Sequence, residues 1–142
     1  MTHARTIGIL VTITLTMLPL TGCRYIKKGD NAQAMAQRLD NAPPIALSEL
    51  DHRHMLVMQA PNPGWSYGID RDDRDREGWI LYITIRRPDP GFLYTQQIVE
   101  KRLLSRVEAD QPVRVMARLL DHDEKSTKDD YAPLTLRESL EP

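Results

Sequence analysis

The chain has 142 residues, 41% of them hydrophobic and 27% charged, with a formal net charge of −1, the profile of one small globular domain. So even a charge balance gives no basic field for nucleic acid, and a single cysteine excludes an intrachain disulfide framework. Ten prolines and seven glycines, spread rather than clustered, favour turn-rich β structure over a helical bundle.

Residues 1–22 read as an export signal and not as part of the fold. Arg5 marks a short positive region, and Ile7 to Leu20 is an apolar run too short for a stable transmembrane helix. It ends in Leu20-Thr21-Gly22-Cys23. These four residues resemble the lipobox of bacterial lipoproteins: Leu, a small residue, Gly or Ala, then Cys. The resemblance implies cleavage before Cys23 and a diacylglycerol on its thiol, with the new amine often acylated. A thiolate is the natural nucleophile for such a thioether, and two or three acyl chains make a stable anchor where one does not. The expected location is therefore outside the cytoplasm, held to a membrane. With Arg24 rather than Asp after the cysteine, enterobacterial sorting would send it to the outer membrane.

Residues 23–29 form the lipidated tether. The six residues from Arg24 to Gly29 span about 20 Å at most, keeping the domain close to the bilayer. Residues 30–50 read as a short helix and a connection. Asp30 can cap the helix with Gln33 three residues on, and Ala32, Met35, Ala36 and Leu39 recur at helical spacing. Asp40-Asn41 before Pro43-Pro44 ends it. Ile45 to Leu50 fits either strand or connection.

The β domain spans residues 51–120. Its first strand is His52 to Ala60, with Met55-Leu56-Val57-Met58 as a buried run. Pro61-Asn62-Pro63-Gly64 is a turn, Trp65 to Asp70 a second strand, and Arg71 to Glu77 a charged hairpin tip. In the central strand Trp79, Leu81, Ile83 and Ile85 alternate with Ile80, Tyr82, Thr84 and Arg86, which gives one dry and one mixed face. After Pro88-Asp89-Pro90-Gly91 the chain is expected to be extended from Phe92 to Leu104. The last clear strand follows Gln111-Pro112, with Val113, Val115, Ala117 and Leu119 on one face. Residues 121–142 read as a polar loop and tail, with Tyr131 to Leu136 as a possible edge strand. Strands separated by turns with no helices between them predict a mainly β fold, a small antiparallel β-sandwich or open barrel with one short N-terminal helix.

From Ala60 to about Leu120, the order of the Pro-Asn-Pro-Gly-Trp-Ser-Tyr-Gly-Ile turn, a strand, then Arg-Pro-Asp-Pro-Gly before a Gln-containing strand is similar to small bacterial β-domains associated with proteases, the protease-complex subunit family and related immunoglobulin-like protease inhibitors. Those families carry a Gly-rich or Thr-Gly-Tyr turn where this chain has Gly64-Trp65-Ser66-Tyr67-Gly68. The resemblance therefore implies architecture and no inhibitory residues.

No catalytic constellation stands out. Asp73, Asp75, Glu77 and Gly78 imitate the start of a calcium-binding loop, but Thr84 occupies the position of the bidentate Glu, and the interleaved arginines read as a solvated tip with weak ion pairs. His52 and His54 would share a strand face and lack a third ligand. There is no Gly-x-Ser-x-Gly, no His-Glu-x-x-His and no phosphate-binding loop. No metal and no cofactor are expected.

What remains is a surface. Trp65, Tyr67, Phe92 and Tyr94 sit near the two proline-rich turns, with Arg86 and Arg87 beside them; aromatics and Arg are enriched at interface hot spots. The reading is a lipid-anchored, non-catalytic protein-interaction module with an envelope protein as partner and a membrane beneath it. The alternatives are a small-ligand or polysaccharide binder using the same aromatics and, third, an uncharacterised hydrolase.

Overall fold

A computed structural model describes residues 28–126 and 130–137. One helix, α1 (Lys28–Leu39), precedes seven strands. These are β1 (Ile45–Leu50), β2 (Arg53–Ala60), β3 (Ser66–Arg74), β4 (Trp79–Arg86), β5 (Val99–Glu108), β6 (Val113–Leu120) and β7 (Ala132–Pro133). They form two sheets, β1-β2-β5 and β3-β4-β6-β7, packed as a small β-sandwich.

The alternating residues of the central strand divide as their pattern demands. Leu81, Ile83 and Ile85 of β4 are fully buried, as are Ala117 and Leu119 of β6 beside them. Leu56, Met58 and Ala60 of β2 supply much of the opposing face. Met35 and Leu39, one helical turn apart on α1, join the same core, and the helix packs on β6 and β7. A helix this short is marginal in water; burial of that stripe and an ion pair at its last turn hold it in place.

The β1–β2 hairpin turns on Asp51 and His52, whose φ angles of 50° and 61° are left-handed. A two-residue turn of this kind matches the twist of its strands, and Asp and His are among the few non-glycine residues that tolerate it. β3 runs further than the sequence suggests. It continues through the charged stretch to Arg74, with a bulge between Ile69 and Arg71. On an edge strand those side chains project into solvent or over the outer sheet face, where the Arg71 guanidinium lies 3.9 Å from the centre of the Tyr82 ring. The tip shrinks to the residues around Gly78, whose φ of +135° and close approach to the Pro112 carbonyl require glycine.

One pairing departs from an all-antiparallel arrangement. β4 and β6 run parallel, Trp79 opposite Val113 through Arg86 opposite Leu120. The strand between them in sequence, β5, belongs to the facing sheet. The chain therefore leaves one sheet at the end of β4, returns along the other, and re-enters beside β4 in the same direction, the long crossover that parallel neighbours need. The segment after β7 then reaches back to the first hairpin, where the Arg137 N–H donates to the Ile45 carbonyl at 2.9 Å. That contact and α1 close one flank of the sandwich.

Candidate functional site

The connection from β4 to β5, residues 87–98, is irregular, where the sequence led us to expect an extended segment from Phe92. Between Pro90 and Val99 it carries no charge, in a chain more than a quarter charged. Its first part is pinned as a turn. The Asp89 carboxylate accepts from the Gly91 N–H at 2.8 Å, and the Phe92 N–H donates to the Asp89 carbonyl at 3.2 Å. Its far side is pinned by Tyr94, whose half-buried ring lies so close over Gly64 that a β-carbon there would come within 2.6 Å of it. Gly64 is itself set by the Asn62 side chain, which accepts from its N–H at 3.0 Å. Between these two fixed points Phe92 is 67% exposed and Leu93 fully exposed.

The other residues singled out in the sequence stand around this tip in different roles. Trp65 is partly buried against the core. Tyr67 points inward from β3, and its hydroxyl sits 2.8 Å from the carbonyl oxygens of Leu56 and Lys101 in the facing sheet, a tie across the sandwich. Burial pushes the pKa of that phenol well above the usual range. The Arg86 guanidinium donates to the carbonyls of Asp121, His122 and Glu124, at 3.0 Å for the last. Arg87 pairs with the Asp121 carboxylate at 3.0 Å. Both arginines thus hold the turn after β6 and are spoken for within the fold. Arg38 at the end of α1 grips the same turn, with two bonds to the Glu124 carboxylate at 2.9 and 2.6 Å. Those bonds from Arg38, with a further one from the Asp121 N–H, hold the Glu124 carboxyl down at about 2.

Sequence reasoning passed over Leu93, because a single exposed leucine among aromatics carries no periodic signal. It also passed over a polar network on the outer face of β3-β4-β6. There the Asp70 carboxylate accepts from the Thr84 hydroxyl at 2.5 Å and the Tyr131 hydroxyl at 2.8 Å, with Arg118 at 3.4 Å. Arg118 also donates to Thr84 at 2.6 Å, and the Tyr82 and Tyr131 rings meet edge to face at 5.0 Å. Thr84, Arg118 and Tyr131 are all buried, so the network secures residues 130–137 to the sheet rather than presenting a site.

His52 lies in the hairpin turn, and His54 is buried with its Nε2–H donating to the Gln111 carbonyl at 2.7 Å; the two do not present one strand face. Asp75 and Glu77 are both paired with Arg114. Among the described residues no cluster of His, Cys, Asp and Glu is placed to hold a metal ion. A depression beside the β1–β2 turn is lined by Glu49, Asp51, His52, Arg53, Glu108 and Asp110, charged groups of both signs. Small-molecule sites are instead apolar with a few convergent polar groups. Leu20, Thr21, Gly22 and Cys23 lie outside the described residues, and no described helix is long and apolar enough to cross a membrane. No protein-family model, curated protein or solved structure matches the chain.

Proposed function

We propose that the chain is a lipid-anchored, non-catalytic β-sandwich that docks an envelope protein through the tip at Phe92 and Leu93. The anchor follows from the resemblance of Leu20-Thr21-Gly22-Cys23 to a lipobox. The docking role is carried by one observation: two large apolar side chains held out in water between two fixed points. Leaving a Phe and a Leu exposed forgoes about 1.5–3 kcal/mol of burial for each, and a pinned loop has little conformational freedom left to lose on binding. Together these suit insertion into an apolar pocket on a partner. Trp65 and Tyr94 form the rigid base of the tip, and Arg86 and Arg87 hold the turn behind it.

The test compares three forms of the full chain in cells: the natural sequence, Cys23→Ser, and Phe92→Ser with Leu93→Ser. After crosslinking, membranes are extracted gently and the adducts identified. The reading expects Cys23→Ser to leave the membrane fraction. It expects the tip variant to stay membrane-bound, to melt at the natural temperature, and to lose a specific adduct that the natural chain forms. A tip variant with an unchanged adduct pattern would remove the docking surface, and a Cys23→Ser chain that stays bound would remove the anchor.

A further inference from the structure

The four edges of the two sheets are not treated alike. The outer edge of β1 is met by residue 137 through the Ala46–Arg137 bridge. β7 is only two residues long. β3 is interrupted by its bulge and carries Asp70, Arg71, Asp72, Asp73 and Arg74. These are the usual devices that keep an edge from pairing with another chain. β5 is different. Among the described residues it is the longest strand, at ten residues, and pairs only with β2. Its register is unbroken from Val99 to Leu104, after which Ser105–Val107 form an irregularity opposite β2, the Ser105 hydroxyl taking the Val107 N–H at 3.1 Å. No other described backbone group bonds to this straight run.

Its side chains alternate strictly. Val99, Lys101 and Leu103 face inward, Glu100, Arg102 and Leu104 are exposed, and so is Ile98, the residue just before the strand. Ile98 is 73% and Leu104 40% exposed, and neither belongs to the tip at Phe92 and Leu93. Read outward, the face is apolar, acidic, basic, apolar. That order is complementary to itself when reversed.

The geometry points to this edge as the self-association surface of the protein, two copies joining β5 to β5 antiparallel about an axis through Lys101. In that register Ile98 of each copy stands opposite Leu104 of the other, and Glu100 opposite Arg102. All four cross-strand pairs then match, two apolar and two ionic, of the kinds that stabilise antiparallel neighbours. Any register moved along by two residues sets Arg102 opposite Arg102 or Glu100 opposite Glu100. The contact is isologous and closes at two copies, uniting two three-stranded sheets into one of six. Lys101, on the axis, points to the other face, where each ammonium is drawn away to its own Pro63 carbonyl at 3.0 Å. Glu100 already meets Arg102 of its own strand at 2.6 Å, so association shares each carboxylate between two guanidinium groups. An edge of this length buries far less than a standard interface, so the dimer dissociates readily and forms at about 0.1 mM or above, a condition that confinement to a membrane surface favours.

Sedimentation equilibrium of the full chain in density-matched mild detergent tests it. The natural sequence should pass from monomer to dimer with rising concentration. Glu100→Arg alone and Arg102→Glu alone, each folded by circular dichroism, should weaken the dimer at least tenfold, because each sets like charges opposite each other. Mixed in equal amounts, the two variant chains should recover an association within about threefold of the natural one, since every cross-strand charge pair is then opposite while the pair within each strand remains broken. A chain monomeric up to about 1 mM, a dimer indifferent to either reversal, or a mixture that fails to recover would each overturn the assignment. Charge reversal leaves Phe92 and Leu93 untouched, so this result and that of the docking test are independent.

Discussion

Replacing Glu124 by Gln keeps the shape of the clasp between α1 and the turn after β6 and removes its charge. The folded carboxyl titrates at about 2 against an ordinary 4.5, a difference equivalent to about 3.4 kcal/mol if fully expressed. The side chains of Arg38 and Glu124 are 32% and 34% exposed, so water screens the pair and about 1–2 kcal/mol is the expected loss. Because the folded value lies below the unfolded one, this stability is present in full above about pH 5 and disappears as the pH falls toward 2. Urea unfolding followed by the fluorescence of Trp65 and Trp79 measures it by linear extrapolation. The Glu124→Gln chain should fall short of the natural one by about 1–2 kcal/mol at pH 7 and by less than half of that at about pH 3. Equal stability at pH 7, or a gap that persists unchanged to pH 2, would refute the account of the clasp.

Two further substitutions test other ties. Tyr67→Phe removes the hydroxyl that reaches Leu56 and Lys101 and should cost about 1–2 kcal/mol in the same unfolding assay, with no change in the binding of any partner held at the tip. Gly78→Ala places a β-carbon 2.5 Å from the Pro112 carbonyl at a φ of +135°; a loss of about 2 kcal/mol or more is expected, and a variant as stable as the natural chain would refute the strain.

What was legible in the sequence followed from local regularity. The alternation of Trp79 to Arg86 marked β4 to the residue and that of Val113 to Leu119 marked all of β6 but its last residue, and the helical spacing of Met35 and Leu39 placed both in the core. The sandwich itself could be read from strands spaced by turns. Features that depend on distant partners were hidden. Nothing near Val113 says that β6 lies parallel to β4, because that is decided by which sheet takes β5. Asp70 read as the last residue of a strand before a charged tip, although its carboxylate is the hub for Thr84, Arg118 and Tyr131, which lie far along the chain. The aromatic surface was grouped by nearness in sequence, whereas side-chain direction separates it: Phe92 points out with Leu93, Tyr67 points in, and Arg86 and Arg87 are taken up by the turn at Asp121. The lipobox-like residues rest on their own pattern and lie outside what the fold describes.

The parallel pairing of β4 with β6 also bears on how the chain reaches its fold. The hairpins β1–β2 and β3–β4 join neighbours in sequence and can form as soon as their residues are available. Everything that completes the two sheets and joins them spans long stretches: β5 must find β2, β6 must find β4, and Arg137 must find Ile45. Such non-local closure slows folding, because loop entropy is lost before contacts reward it. A chain that reaches its compartment unfolded would therefore spend its slow phase as two hairpins with open edges. Pulse-labelled hydrogen exchange would find protection first at the Gln59 and Asp75 amides, which donate within the two hairpins, and last at those of Leu134 and Arg137, which donate to Val115 and Ile45.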